Sequence, residues 1–258
     1  MCIVLFSYKH TPGYHLIVAA NRDEFLVRPT APLSWWEDGT EILAGRDLQD
    51  GGTWLGVNAS GKFGALTNYR EMARSNVKTV SRGEILPRYL GDPKVAKHFP
   101  ADLEGLQSRY RGFNVVLGDG ESLVYYSNRA DGQEQSQWEL QPGIYGLSNH
   151  LLDSPWPKLI RGKDLFEHAL AKHPFSVENL FQVLQDTWQP PEHSLPDTGI
   201  GPRWEKKLAP IFISSDTYGT RSSAVVTISD KGETMVCERT FHRGPDGVKT
   251  EAQRCFTI

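Results

Sequence analysis

Cysteine is scarce in this chain: three residues in 258, at positions 2, 237 and 255. So sparse and odd a set argues against a disulfide framework and for a reducing compartment. Long apolar runs are missing as well. No stretch approaches the roughly 18 residues that a membrane helix needs, so no integral membrane span is expected. The first residues hold no basic region followed by an apolar core and a small-residue cleavage site, and no secretory signal is expected. Positive charge is not in excess either. Lys and Arg number 28 against 31 Asp and Glu, for a formal net charge of -3. They are scattered, whereas a nucleic-acid surface needs a basic stripe, so no nucleic-acid partner is expected. Linkers, repeats and low-complexity segments are absent. Together these features describe a cytoplasmic protein with one domain over residues 1–258.

Apolar residues make up 39% of the chain, enough at this length for a substantial core. The first 70 residues read as β. "CIVLFS" (2–7) and "HLIVAAN" (15–21) are apolar runs rich in β-branched residues, joined through Pro12 and Gly13 as a hairpin. "TWLGVN" (53–58) and "KFGALTN" (62–68) flank "ASG" as a second hairpin. Ser81 and Glu84 have capping-box spacing and predict a short helix that Pro87 limits. "FNVVLGDGESLVYYS" (113–127) reads as a third hairpin and "GIYGLSN" (143–149) as a strand.

The period then changes. Leu159, Ile160, Phe166, Ala169 and Leu170 recur at near-helical spacing over 158–172. Leu180, Phe181, Leu184 and Trp188 share one face of a second helix, with Ser176 as its cap. A Pro/Gly loop over 189–202 is long enough to be a lid, a ligand contact or a spacer. Strands return at "PIFISS" (210–215), "SAVVTIS" (223–229) and "ETMVCERTF" (233–241). The expected fold class is α+β, an antiparallel sheet covered by helices.

If the first turn centres on Thr11–Pro12, Cys2 lies opposite Asn21, with Arg22 and Asp23 just beyond. Directly opposed residues have Cα atoms roughly 4.5–5.5 Å apart. A thiol would then meet the polar run "NRDE" (21–24). A neighbouring guanidinium lowers a thiol's pKa from about 8.5 toward the reactive thiolate. An α-amino group of pKa about 7.7–8.0 can act as a base, so loss of Met1 would give Cys2 both nucleophile and base. The plain alternative is a small apolar strand residue beside a solvated strand end. Asn68, Asn149 and Arg221 also sit at strand ends, where two amides and a guanidinium can bind an oxyanion or a carboxylate. Their plain alternative is turn chemistry.

"MC", "AANRDEF", "GGTWLGVNASGKFGALTNYR", "YGLSN" and "YGTRSS" together resemble the NRDE family, also called the transport and Golgi organisation protein 2 family. The resemblance implies an N-terminal-nucleophile hydrolase-like fold, a four-layer αββα sandwich of antiparallel sheets. A more distant similarity is to the cysteine acylases that cleave penicillin V and conjugated bile salts. It implies Cys2 as nucleophile, Arg22 tuning the thiol, Asp23 contacting the amine, and Asn149 and Arg221 lining the acyl site. In those acylases the arginine and aspartate are separated in sequence. Here they are adjacent, and on a strand they would point to opposite faces.

Two functions follow. Family members are linked to haem trafficking, to lipid or acyl-CoA metabolism and to secretory-pathway organisation. The first function is therefore a cytosolic carrier of an amphipathic anionic small molecule, with haem as transported ligand and a protein acceptor. Trp35, Trp36, Trp54 and Trp204 would supply apolar surface, and Arg22, Arg70 and Arg221 would meet propionates. Cys2, a histidine or a tyrosine would ligate iron. Asn21, Asn68, Arg70, Trp54 and His150 are the candidate ligand contacts, and no structural metal is expected. The second function is an amidohydrolase, in which mature Cys2 attacks the C-N bond of an acyl or amide compound.

Overall fold

The computed structural model describes residues 2–72, 80–104, 106–130, 137–172, 175–244 and 247–258. Their strands, in chain order, are β1 (Cys2–Tyr8), β2 (Tyr14–Phe25), β3 (Thr30–Trp35), β4 (Ile42–Asp47), β5 (Leu55–Asn58), β6 (Phe63–Asn68), β7 (Phe113–Gly118), β8 (Leu123–Ser127), β9 (Gln137–Glu139), β10 (Gly143–Leu147), β11 (Tyr218–Ser229), β12 (Thr234–Gly244) and β13 (Gly247–Thr257). The α-helices are α1 (Ile85–Gly91), α2 (Phe99–Glu104), α3 (Pro157–Leu170), α4 (Val177–Leu184) and α5 (Pro202–Lys207). Two compact units divide the chain. One is Met1–Val27, Pro142–Ser148 and Leu152–Ile258; the other is Arg28–Gln141 and Asn149–Leu151. Each is built on one antiparallel sheet.

The first unit has the strand order β10-β1-β2-β11-β12-β13. Alternation along its strands sends Ile3, Leu5, Ile17, Ala19 and Val225 to one face. There they form a core with Leu159 and Phe166 of α3 and Leu180, Phe181 and Leu184 of α4. Ser176 caps α4 as expected, accepting from the Glu178 amide at 3.2 Å. Ile160 is 60% exposed, so it lies off the buried face of α3. Trp188 lies beyond α4 and is also exposed, because the helix ends at Leu184 ahead of Gln185–Asp186. Residues 210–213 are buried, Ser214 is exposed, and the segment 210–215 forms no strand. Their backbone groups pair elsewhere: Phe212 N with Asp186 O, and Ile213 N with the Thr220 hydroxyl.

The expectation of no disulfide is corrected here. Cys237 and Cys255 are bonded, facing one another across the β12–β13 ladder with Cα atoms 4.1 Å apart. β13 was not foreseen, because its run of exposed, mostly polar residues carries no core pattern.

The second unit has the order β3-β4-β5-β6-β7-β8-β9. Its core joins Ile42, Ala44 and Leu66 to Leu86, Tyr89 and Leu90 of α1 and to Val115, Leu117 and Tyr126. Pro87 is the third residue of α1, where its missing N–H is one the helix could not have paired. Ser81 caps the preceding 3-10 turn through the Gly83 amide, while Glu84 accepts from the Tyr110 hydroxyl at 2.6 Å. The reciprocal half of the capping box is therefore absent. The "GGTWLGVNASGK" segment is explained by packing. A Cβ on Gly52 would lie 2.3 Å from the Gly83 backbone, and one on Gly45 would lie 2.6 Å from the Trp54 ring. Asn58 donates to Leu90 O, and the Lys62 ammonium donates to the carbonyls of Tyr89, Asp92 and Lys94. The β5–β6 hairpin thus caps the C-terminal end of α1, where orphan carbonyls favour donors and cations. Among the described residues no helix is long and apolar enough to cross a membrane.

Candidate functional site

Cys2 lies opposite Arg22, and Ile3 opposite Asn21. The expected hairpin register is therefore off by one residue. The turn explains the difference. Tyr14 N bonds Thr11 O at 3.1 Å, with Pro12 and Gly13 at the central positions and Gly13 at φ 85°. That is the residue pattern of a type II turn, which needs a glycine at its third position. The hairpin is centred on Pro12 rather than between Thr11 and Pro12. One step of register exchanges the faces on which neighbours meet. Cys2 shares a face with Arg22, while Asn21 and Asp23 share the opposite face with Ile3, toward α3 and α4.

Cys2 is buried and in no disulfide. Burial pushes its thiol pKa up, and the Asp23 charge adds to this. Arg22 and a hydrogen bond from the Asp23 amide pull it down by less. The net direction keeps Cys2 a thiol near neutrality.

Asp23 is held on the other face. Thr220 Oγ1 donates to its carboxylate at 2.7 Å, and the Tyr218 hydroxyl donates to its carbonyl at 2.8 Å. Burial pushes this carboxyl up to about 6, against the opposing pull of Lys158, the Thr220 hydrogen bond and Arg243. Asn21 has a structural role. Its Nδ2 donates to Leu184 O at 2.8 Å and to Ile211 O at 3.0 Å, and Ser223 Oγ donates to its Oδ1 at 2.6 Å. It does not share the Cys2 face, which its candidacy as a ligand contact there assumed.

Arg221 occupies a β-bulge, where the β11–β2 register shifts between Thr220 and Ser222. Its Nη1 donates to Phe25 O at 3.0 Å and Leu26 O at 3.1 Å. Burial lowers its pKa, and the Arg22 charge adds to the effect. Arg243 stands beside it, donating from Nη2 to Thr220 O at 2.6 Å, with its own pKa lowered by burial and then by Arg221. Arg221 is thus repelled by the charges of both Arg22 and Arg243, a row of guanidiniums with Arg221 at its centre. Sequence reading did not find Arg243 or Lys158, because the bulge and α3 that bring them near leave no local pattern. Next to Arg221, the rings of Phe25, Tyr218 and Trp204 make a cluster with centroids 5.1–6.3 Å apart. Phe25 is 47% exposed there.

The other candidates belong to the second unit. Asn149 is fully buried, donates to Asn68 O at 2.9 Å and accepts at its carbonyl from Arg70 N at 2.7 Å. His150 stacks obliquely on Tyr69, with ring centroids 4.9 Å apart, and its carbonyl accepts from Asn114 Nδ2. The structure therefore brings Asn68, Arg70, Asn149 and His150 together. Trp54 lies one strand away, with its carbonyl bonded to Leu66 N. Trp36, one of the tryptophans expected to supply apolar surface, is a core residue under the Arg46 guanidinium. Among the described residues, no group of three His, Cys, Asp or Glu side chains is placed to hold a metal ion.

Known proteins share this fold. Penicillin V acylase from Agrobacterium tumefaciens superposes with a TM-score of 0.50 at 12% identity, covering 99% of this chain and 85% of that one. The C2A mutant of conjugated bile acid hydrolase from Clostridium perfringens superposes with a TM-score of 0.50 at 10% identity, covering 100% and 96%. At such identities the likeness is one of fold, α+β and N-terminal-nucleophile hydrolase-like, as the sequence implied. In sequence, the Transport and Golgi organization 2 homolog of Mus musculus is 35% identical over 261 residues, covering 93% of both chains. The family model described as Transport and Golgi organisation 2 matches residues 1–243. The chain belongs to the Transport and Golgi organisation 2 family.

Proposed function

We propose that this protein is a carrier for an amphipathic anionic small molecule, with haem the leading candidate. The supporting observation is Arg221, flanked by the charges of Arg22 and Arg243, beside an aromatic cluster in which buried Tyr218 and partly buried Trp204 back the half-exposed Phe25. Like charges held close together destabilise one another, and a bound anion relieves that repulsion. Guanidinium groups pair with carboxylates in two-point geometry, and the aromatic rings suit an apolar body. Cys2, kept as a thiol, is a poor resting nucleophile and a plausible iron ligand once deprotonated by the metal. In this reading the protein works in the cytoplasm and hands its ligand to a protein acceptor.

A haemin titration tests the proposal. Wild type should give a shifted Soret band that saturates near one equivalent. Arg221→Ala should bind about ten- to a hundredfold more weakly, the worth of one charge-assisted hydrogen bond. Cys2→Ala should change the band position if the sulfur ligates iron. A band that never saturates, or that an unrelated protein reproduces, removes the carrier reading.

A second reading, N-terminal cysteine amidohydrolase, is favoured by one specific observation. Cys2 is directly opposed to Arg22, and the Asp23 amide is aimed at its sulfur. A thiolate would attack the amide carbon, expel the amine and leave an acyl-enzyme for water to hydrolyse. The mechanism requires removal of Met1, which lies outside the described residues. Intact mass of protein from its native cells should then show Met1 missing. Retention of Met1 turns the required base into an amide nitrogen and ends this reading.

A further inference from the structure

The Cys237–Cys255 bond joins two very different environments. Cys237 is 2% exposed and belongs to the core under Phe181 and Leu180 of α4. Cys255 lies on β13, an edge strand whose residues are exposed apart from the half-buried Val248 and Phe256. β13 lies beyond the residues matched by the family model. Its attachments include the ladder to β12, an Arg239–Gln253 contact at 2.7 Å and the disulfide. A strand with little buried apolar surface and a water-exposed ladder opens at low free energy. The covalent link ties this strand to the core through Cys237.

We propose that Cys255 is a thiol-exchange site, through which a low-molecular-weight thiol releases β13 from the sheet. The attacking thiolate bonds to the exposed Cys255 sulfur as the S–S bond breaks. The electron pair leaves on the Cys237 sulfur, which takes a proton and remains in the core as a small apolar side chain. A second thiolate then attacks the first thiol's sulfur and expels the Cys255 thiolate, which takes a proton, so two thiols are oxidised to one disulfide for each protein disulfide reduced. β13 carries Lys249, Glu251 and Arg254, charges that protect an edge from pairing. Its release leaves β12, with Met235, Val236 and Phe241, as the outer strand of the sheet.

Hydrogen exchange of residues 248–257 in the full chain tests this, comparing diamide-oxidised and dithiothreitol-reduced protein. Reduction should speed exchange there by about a hundredfold, given the separation of 18 residues that the bond spans, while residues 2–25 are unchanged. Cys255→Ser, an exposed and conservative change, should exchange at the fast rate in both conditions. With glutathione, peptide mapping should find the mixed disulfide on Cys255. Equal exchange in the two redox states, alkylation of both Cys237 and Cys255 after oxidation, or an adduct confined to Cys237 would each overturn the proposal.

Discussion

Asn21→Ala should lower the melting temperature by roughly 8–16 °C, the shift that about 4 kcal/mol produces in a protein of this size. Asn21 is 1% exposed and makes three side-chain hydrogen bonds. Two of them satisfy carbonyls. Leu184 O belongs to the last residue of α4, whose terminal carbonyls have no partner inside the helix. Ile211 O belongs to a buried segment with no strand partner. Alanine leaves both carbonyls and the Ser223 hydroxyl short of a partner, and each buried loss costs about 1–3 kcal/mol. Asn21→Asp separates hydrogen bonding from volume. At neutral pH it places acceptor against acceptor and should destabilise at least as much. Near pH 4 the protonated acid can donate one bond, so part of the loss should return. Thermal melts of both variants at pH 7.5 and pH 4 measure this. An Asn21→Ala melt within about 2 °C of wild type would mean that Asn21 does not hold α4 to the sheet.

The asparagine of "NRDE" is thus architectural, and the sequence could not distinguish it from its neighbours. Alternation on a strand says that Asn21 and Asp23 share one face and Arg22 the other. It does not say which face holds Cys2. That depended on a single residue in the first turn, and the Pro12–Gly13 pair allowed two centres. The hairpins around Gly61 and Gly118–Gly120 were legible because turn residues and apolar runs agreed locally. α3 and α4 were legible from their periodic faces, although Ile160 and Trp188 turned out to lie outside them. β3, β9, β13 and α5 carried no such agreement. Residues 210–215 carried a false one, because a buried apolar run reads as a strand even when isolated backbone and side-chain bonds, not a ladder, satisfy its backbone. The arginine row was half legible. Arg22 and Arg221 sit in recognisable blocks, whereas Arg243 joins them only through the bulge at Thr220/Ser222.

Asp23→Asn should make the protein more stable at pH 8 by about 3 kcal/mol, and the gain should vanish near pH 4. The Asp23 carboxyl titrates at about 6 in the folded chain because burial disfavours its charge. Its unfolded value is about 3.9. The folded state therefore holds this proton more tightly. Its contribution to stability is fully present below about pH 4 and is lost as pH rises through about 6. Over those two units wild type loses about 3 kcal/mol, at 1.36 kcal/mol per unit. Asparagine carries no charge at any of these pH values, and its Oδ1 can still accept from Thr220 Oγ1. The nearby Lys158 and Arg243 already enter the balance that sets the carboxyl near 6, so their attraction does not reverse the sign. Urea unfolding of both proteins from pH 4 to pH 8 should give stabilities whose difference opens from about pH 4 and levels off above about pH 6. An Asp23→Asn protein less stable than wild type at pH 8 would mean that those cations outweigh burial. An ionised carboxylate held at a cost in stability is what the proposed binding role expects of Asp23. Asp23 reaches Cys2 through its backbone amide and meets the guanidinium row through Arg243. A more stable Asp23→Asn that also loses haemin affinity would tie the stability cost of Asp23 to ligand binding at that row.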